Sequence, residues 1–393
     1  MEKCALILCE KKMSEKSRKS LADAEIVFRP MKKILQESVE KCGIEDIFFL
    51  CEKEERTENF RNFFERNKDG DIFVCEGTNP FISPDTITKS YEEFVKNGRK
   101  ITAVVSRFCD SFAAVWMSFA DLKKHCSFTQ REEILLSDIV SSFDEISEFI
   151  SENDDDFLFA KNLSDVLKLN EYKRKKILEG LMLSGVQIPC ADGVIISEEA
   201  EIDADAVILK GTQIKGKTKI SADAVIGPDT ILEDCNVGEK VKIKASHCYS
   251  SEIKKGAEIG PFVRIRPHCT IGENARVGNF VELKNASVAE GAKISHLSYV
   301  GDSFVGKDVN IGCGCATVNF DGRHKHRTVI SDGAFIGCGV NLVAPVTVGK
   351  DAFVAAGSTV TEDVPENALS IARTRQVNKT GWVLKTKPYK RMK

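Results

Sequence analysis

The sequence predicts a three-layer α/β domain followed by a parallel β-helix, with one long helix joining them. Three observations in the 393 residues carry that prediction. Apolar runs alternate with helical segments over residues 1–162, and leucines recur at helical spacing over 163–188. From 189 to 365 an aliphatic side chain falls on nearly every sixth position, and a basic tail occupies 366–393.

In the first domain, CALILC (4–9), DIFFLC (46–51), DIFVCEG (71–77) and KITAVVS (100–106) are short apolar runs rich in β-branched and aromatic residues, the pattern of buried strands. PMKKILQESVEKC (30–42), TENFRNFFERN (57–67) and SPDTITKSYEEFVKNG (83–98) repeat apolar residues at helical intervals between them. Such alternation builds a mostly parallel sheet covered by helices on both faces. LSDVLKLNEYKRKKILEGLMLSG (163–185) reads as a long connecting helix.

The second domain sets its beat at Ile196, Ile202, Ile208, Ile214, Ile220, Ile226 and Leu232. After a slip it resumes at Ile253, Ile259, Ile265, Ile271, Val277 and Leu283, then at Val288, Ile294 and Val300, then at Val305 and Ile311. Ile330, Ile336, Leu342, Val348, Val354 and Val360 complete it. Helices repeat every 3.6 residues and strands every 2, so neither produces this period. A triangular parallel β-helix does. Each face takes one hexapeptide, its aliphatic residue stacks inward on those of neighbouring coils, and glycine or asparagine turns the corners. The repeat region holds roughly nine coils on this scheme. Surplus residues must leave the solenoid as loops. The clearest is CATVNFDGRHKHRT (315–328), where the beat lapses. It carries Asn319, Asp321, Arg323, His324, Lys325, His326 and Arg327, a polar and cationic set suited to clamping an anion.

A net charge of −3 argues against a global nucleic-acid binder. MEKCALILCEKKM holds too short an apolar run for a signal peptide core, and no later run reaches the ~18 residues of a membrane span. A cytoplasmic protein with neither nucleic-acid nor membrane partners is expected. The fourteen cysteines are scattered, with no CxxC pair and no finger-like Cys/His cluster. Reduced thiols acting as small core hydrophobes are expected, and no metal site.

KISHLSYVGD (293–302) keeps the beat at Ile294 and Val300 but sets His296 and Tyr299 between them. Around it run the ordered blocks RP, VGNFVE.K, HLSY.GD, VNIG.G, N.DG..KH.T and LVAPVT.G. Together, over roughly residues 165 to 385, they resemble the acetyltransferase half of a bacterial bifunctional family. That family is glucosamine-1-phosphate N-acetyltransferase / N-acetylglucosamine-1-phosphate uridylyltransferase. The resemblance implies a left-handed β-helix of hexapeptide repeats behind a nucleotidyltransferase-like domain. It also implies a homotrimer whose sites form where neighbouring prisms meet, with Arg373, Lys379, Lys385, Lys387, Lys390 and Arg391 of the tail near cofactor phosphates and Trp382 against an adjacent subunit. It places His296 as general base and Arg266 and Lys284 on the sugar phosphate. Tyr299 and Asn310 become further amino-sugar contacts, and Asn319 lies beside the reacting amine. Acetyl-CoA falls to Cys313, Phe320, Lys325, Cys338, Ala356 and Arg373. The family usually carries alanine at 313, tyrosine at 320 and serine at 338, so this chain departs at three of these positions.

The chemistry is consistent with those residue types. An amine must lose its proton before it attacks a thioester, and an imidazole titrating near neutrality can take that proton. An arginine fork and a lysine point charge together hold a phosphate monoester. A backbone N–H at a coil corner can stabilise the oxyanion that forms.

The first domain departs further from the resemblance. Where the family has a glycine-rich nucleotide loop, this chain has Lys11 and Met13 for the glycines, whose side chains obstruct phosphate, Ser14 for the threonine, and Glu15 for the arginine, which repels it. Thr78 stands for the magnesium aspartate and Ser164 for the second ligand, both poor substitutes. REEILLSDIV (131–140) resembles a later family motif. The expected function is therefore acetyl transfer from acetyl-CoA to α-D-glucosamine 1-phosphate, with uridylyl transfer lost and Mg²⁺ needed only if it survives. The alternatives are an active bifunctional enzyme, an acyltransferase for another amino-sugar phosphate, and a non-catalytic scaffold.

Overall fold

The computed structural model describes residues 3–9, 12–13, 17, 19–50, 62–65, 69–108, 111–125 and 135–386. It divides into two compact units, Met1–Ile177 and Leu178–Lys393.

The first unit is built on six strands: β1 (Lys3–Leu8), β2 (Asp46–Leu50), β3 (Asp71–Glu76), β4 (Thr102–Val105), β5 (Phe112–Ser118) and β6 (Ser147–Ile150). Their order is β2-β1-β3-β5-β4-β6. The four strands read from the sequence are present, and β5 and β6 are additions to that reading. β5 runs antiparallel to both β3 and β4, while the other pairs are parallel. Its sequence FAAVWMS is apolar enough for a central strand, but apolarity carries no information about direction. Successive residues of a strand face opposite sides. Leu6 and Leu8 therefore join Phe63, Val74 and Val115 in one core, and Ala5 and Ile7 join Phe73, Phe94 and Trp116 in the other. Helix α1 (Met31–Glu40) places Leu35 and Val39 in the second core. α2 (Pro84–Lys96) does the same with Ile87 and Phe94, its first turn capped by the Ser83 hydroxyl accepting from the Thr86 N–H. Of the expected helix at 57–67, only 62–65 lie among the described residues, and they are helical. Two short helices follow, α3 (Phe119–His125) and α4 (Leu136–Val140), then the long α5 (Leu163–Leu183).

The second unit is a left-handed parallel β-helix whose three faces hold ten, ten and nine strands. Every aliphatic residue of the six-residue beat is buried except Ile202, which is half-buried. The slip after Leu232 is not a break. Val237, Ile243 and Cys248 continue the inward stack, because the coils there are one or two residues short of three full hexads. The lapse between Ile311 and Ile330 also closes. Thr317 takes the inward place at 4% exposure, its hydroxyl accepting from the Gly301 N–H at 2.8 Å and donating to the Gly301 carbonyl at 3.1 Å. A polar residue substitutes for an aliphatic one there because both its donor and its acceptor are satisfied. Pairing runs on through Leu369–Ser370, which align with Phe353–Val354, and the tail carries a short helix at Trp382–Thr386.

Aspartate, more than the expected asparagine, shares the corners with glycine. Asp205, Asp223, Asp229, Asp234, Asp302, Asp308 and Asp351 all hold positive φ. Like asparagine, it tolerates the left-handed region. Its carboxylate also folds over the coil below. A Cβ added at Gly211, Gly216, Gly291 or Gly333 would meet Oδ1 of Asp229, Asp234, Asp308 or Asp351 at 2.1–2.3 Å. Each such corner is thus a glycine roofed by an acidic residue.

Gly291→Ala should therefore lower stability by about 1–3 kcal/mol, since φ of +69° and the Asp308 contact both oppose a side chain. Gly322→Ala, with φ of +96° but nothing within 4 Å, should cost less. Thermal unfolding of the two variants followed by circular dichroism checks the ranking.

Candidate active site

In a parallel stack, the N–H following a residue donates to the carbonyl of its neighbour one coil below. Leu297 donates to Asn279 at 3.0 Å, Gly314 to His296 at 3.4 Å, Gly339 to Cys313 at 2.7 Å and Gly357 to Cys338 at 2.8 Å. Asn279, His296, Cys313, Cys338 and Ala356 therefore rise in one column along a single edge of the prism. Arg373 reaches the same edge, its Cδ 3.7 Å from a Cβ position at Gly357.

His296 is exposed, and its Nδ1 lies 2.7 Å from Asn279 Oδ1. An amide oxygen only accepts, so in the neutral ring Nδ1 carries the hydrogen and Nε2 the lone pair. The two nitrogens sit on opposite edges of the ring. With Nδ1 engaged by Asn279, Nε2 is the nitrogen left for a substrate proton. Asn279 was missed from the sequence, although the signal was available: it stands one coil, seventeen residues, before His296.

A second column marks the next edge. Arg264 and Ile265 pair with Glu282 and Leu283, so Arg266 lies under Lys284, and Lys284 pairs directly with Gly301. Lys325 comes from the loop that leaves the prism after Val318. The Lys284 ammonium is held below the usual lysine value, chiefly by the neighbouring Lys325 amine, then by desolvation and the Arg266 charge, with Asp302 opposing. Glu282 accepts from Arg266 Nη1 at 3.2 Å. Asp302 Oδ1 accepts from Asn285 at 2.7 Å and its Oδ2 from the Asn319 amide, so both oxygens are engaged. Three cations crowd this edge, and the nearby carboxylates are partly used elsewhere. Gly301 lets Tyr299 and Asn319 close in over its backbone, since a Cβ there would lie 2.4 Å from the Tyr299 hydroxyl and 2.9 Å from Asn319 Nδ2.

Asp321 organises the loop. It accepts from the Arg323 and His324 N–H groups at 2.7 Å each and sits 2.7 Å from His326 Nε2. The backbone donors, His324 first, together with His326 hold its carboxyl down to about 2. Phe320 bridges to Lys325 and is 56% exposed.

One chain thus gathers Arg266, Lys284, Tyr299, Asn319 and Lys325 at one edge, and His296, Cys313, Cys338, Ala356 and Arg373 at the other. Tyr299 belongs to the face between the two edges. Asn310 does not join them: it pairs with Lys293 and Phe335 on the neighbouring face. Lys387, Lys390 and Arg391 lie outside the described residues.

In the first unit, the groups at the ends of β1 and β3 are engaged by neighbouring chain. Thr78 is 2% exposed, its carbonyl accepting from the Ala160 N–H at 2.9 Å. Glu76 accepts from the Leu136 N–H at 3.1 Å. A Cβ at Gly77 would meet Cys9 Sγ at 2.6 Å, while Ser164 stands exposed on α5. Among the described residues, no three His, Cys, Asp or Glu side chains form a metal-sized group. Met13 donates its N–H to the Lys19 carbonyl, and Lys11, Ser14 and Glu15 lie outside the described residues. No described helix is long and apolar enough to cross a membrane.

Comparison with known proteins falls on the same regions. The GMPPB C-terminal domain family matches residues 247–368. The bifunctional protein GlmU of Geobacillus sp. (strain WCH70) is 54% identical over 210 residues, 53% of this chain and 46% of that protein. The GlmU of Shouchella clausii (strain KSM-K16) is 45% identical over 282 residues, 71% of this chain and 62% of that protein. The chain thus spans about half to three-fifths of the curated relatives it matches. Among solved structures, a Francisella novicida UDP-N-acetylglucosamine acyltransferase is 21% identical over 52% of this chain and 75% of that one, with a TM-score of 0.29.

If Asn279 fixes the imidazole, ¹⁵N spectra should show His296 predominantly as the Nδ1–H tautomer, and Asn279→Ala should shift the ring toward Nε2–H. An unchanged tautomer in the variant would detach Asn279 from the histidine.

Proposed function

With its relation to bifunctional GlmU proteins over 71% of its length as the premise, we propose that this chain transfers an acetyl group from acetyl-CoA to the amine of α-D-glucosamine 1-phosphate. The observation that carries the proposal is the pairing of one oriented, exposed imidazole with a neighbouring edge of crowded cations. Arg266, Lys284 and Lys325 repel one another until an anion joins them, and a phosphate monoester supplies that anion. Tyr299 and Asn319, packed together over Gly301, are assigned to the sugar. His296 Nε2 takes the ammonium proton, and Asn279 stabilises the imidazolium that results. The amine then attacks the thioester carbonyl, whose developing charge meets a backbone N–H of the His296 edge. The tetrahedral adduct gives its surplus N–H proton to solvent and collapses to the amide and the CoA thiolate, which recovers the first proton from His296, so one proton is released per turnover. Cys313, Cys338, Ala356 and Arg373 along that edge, and Phe320 from the loop, are assigned to the acyl donor.

We further assign a homotrimer. Asn310 stands on a different face from Tyr299, so the expected sugar contacts are completed only by a second prism. The exposed pair Phe335 and Phe353, stacked 4.5 Å apart on the Asn310 face, is suited to being covered by it. The burial of Thr78 supports loss of uridylyl transfer. A neutral, buried Thr78 offers Mg²⁺ no carboxylate.

The test is mass spectrometry of all products from glucosamine 1-phosphate, acetyl-CoA, UTP and Mg²⁺ together. N-acetylglucosamine 1-phosphate should accumulate without its UDP derivative. Appearance of the UDP sugar would restore the bifunctional alternative, and absence of any product would return the chain to a scaffold. His296→Ala should lower kcat by about 10²–10⁴-fold, with the oligomer intact by light scattering. Because Lys284 is held below its ordinary value, KM for the sugar phosphate should rise with pH earlier than an ordinary lysine would dictate. Lys325→Gln removes the main cause and should move that rise to higher pH. A profile unmoved by the substitution would remove Lys325 from the phosphate edge.

A further inference from the structure

We propose that Cys313 and Cys338 form a paired-thiol site that reacts with low-molecular-weight disulfides and closes into a disulfide bond between adjacent coils. The two cysteines are direct neighbours in the His296 column. Gly339 donates to the Cys313 carbonyl at 2.7 Å, and a Cβ at Gly312 would lie 2.7 Å from the Cys338 nitrogen, so the coils touch here. Paired parallel strands stand about 4.8 Å apart, within the roughly 4.4–6.8 Å between Cα atoms that a disulfide spans.

Access separates this pair from the four thiols packed inside the coils. Cys338 is exposed and Cys313 half-buried, whereas Cys235, Cys248, Cys269 and Cys315 are buried. Burial raises the pKa of all four buried thiols, that of Cys235 to about 11. Cys315 also donates its thiol to the Gly337 carbonyl at 3.0 Å. A thiol must be reached as its thiolate to react, so a small disulfide meets Cys338 first. The Cys338 thiolate attacks one sulfur of RS–SR, forming Cys338–S–S–R and releasing RS⁻, which takes up the proton that Cys338 gave up. The Cys313 thiolate then attacks the Cys338 sulfur, forming the intercoil bond and expelling the second RS⁻, which takes the Cys313 proton. Two protein thiols are oxidised and one small disulfide becomes two small thiols.

The consequence for activity rests on the function proposed above. The bond would lie along the edge assigned to the acyl donor, one coil above His296, so the oxidised enzyme should lose acetyl-CoA and regain it on reduction. The experiment treats the full chain with hydroxyethyl disulfide, then combines intact mass, a non-reducing tryptic map and acetyl transfer before and after dithiothreitol. The expected result is a product about 2 Da lighter at this pair, with a peptide of residues 308–323 joined to one of 328–350. Fragment ions should assign the link to Cys313 rather than Cys315. Transfer should fall more than about tenfold and return with reductant. Cys338→Ser must abolish the linked peptide, while exposed Cys190 reports general thiol reactivity as an adduct. Absence of the linked peptide when Cys190 is modified would overturn the inference, as would a linked protein that transfers acetyl groups undiminished. A reduced protein with no acetyl transfer would count against the proposed function instead, and the peptide map would still decide the thiol pair.

Discussion

The second unit depends on the backbone hydrogen bond that joins each coil to the next. That bond repeats from Gln187, bonded to Ala206, to Thr359, bonded to Ala372. Because it fixes which residue stands over which, it converts spacing along the chain into columns in space. Residues sixteen to twenty-five apart become neighbours, as Ile231 with His247 and Ile311 with Ile336. The inward aliphatics need only be apolar. The corner positions must also accept a left-handed backbone and clear the coil beneath, which is why glycine under aspartate recurs.

On that lattice, functional groups can be placed by simple stacking. An orienting amide stands one coil below the imidazole, and two cations stand one above the other. The electrostatics follow. Arg266 and Lys284 are adjacent because their coils are adjacent, and their repulsion, increased by Lys325, cannot relax through a rigid backbone. Partial compensation by Glu282 and Asp302 holds the side chains in place and leaves the edge net cationic.

Much of this was legible in the sequence, for a physical reason. A six-residue period has few alternative explanations, and each predicted inward residue needed only burial to be satisfied. The slips were harder to read. Cys248 and Thr317 continue the stack as a thiol and a hydroxyl, which a search for aliphatics passes over. Asn279 was missed because its partner is a coil away, not nearby in the chain. In the first unit, β5 escaped notice because FAAVWMS mixes alanines with large residues and reverses direction inside an otherwise parallel sheet. The site residues divided in the same way: those set by stacking fell into columns, and Asn310, on another face, did not.

The loop carrying Lys325 leaves the prism after Val318, yet Ala316, Thr317 and Val318 pair with Asn341, Leu342 and Val343 in the coil above, and Thr328, Val329 and Ile330 pair with Val346, Thr347 and Val348. The loop is therefore a side branch of the solenoid, with no part in its continuity. Its length and charge can drift across generations while the ladder beneath stays in register. One cation of the site is thus free to change at little cost to folding, on a scaffold that fixes the other two.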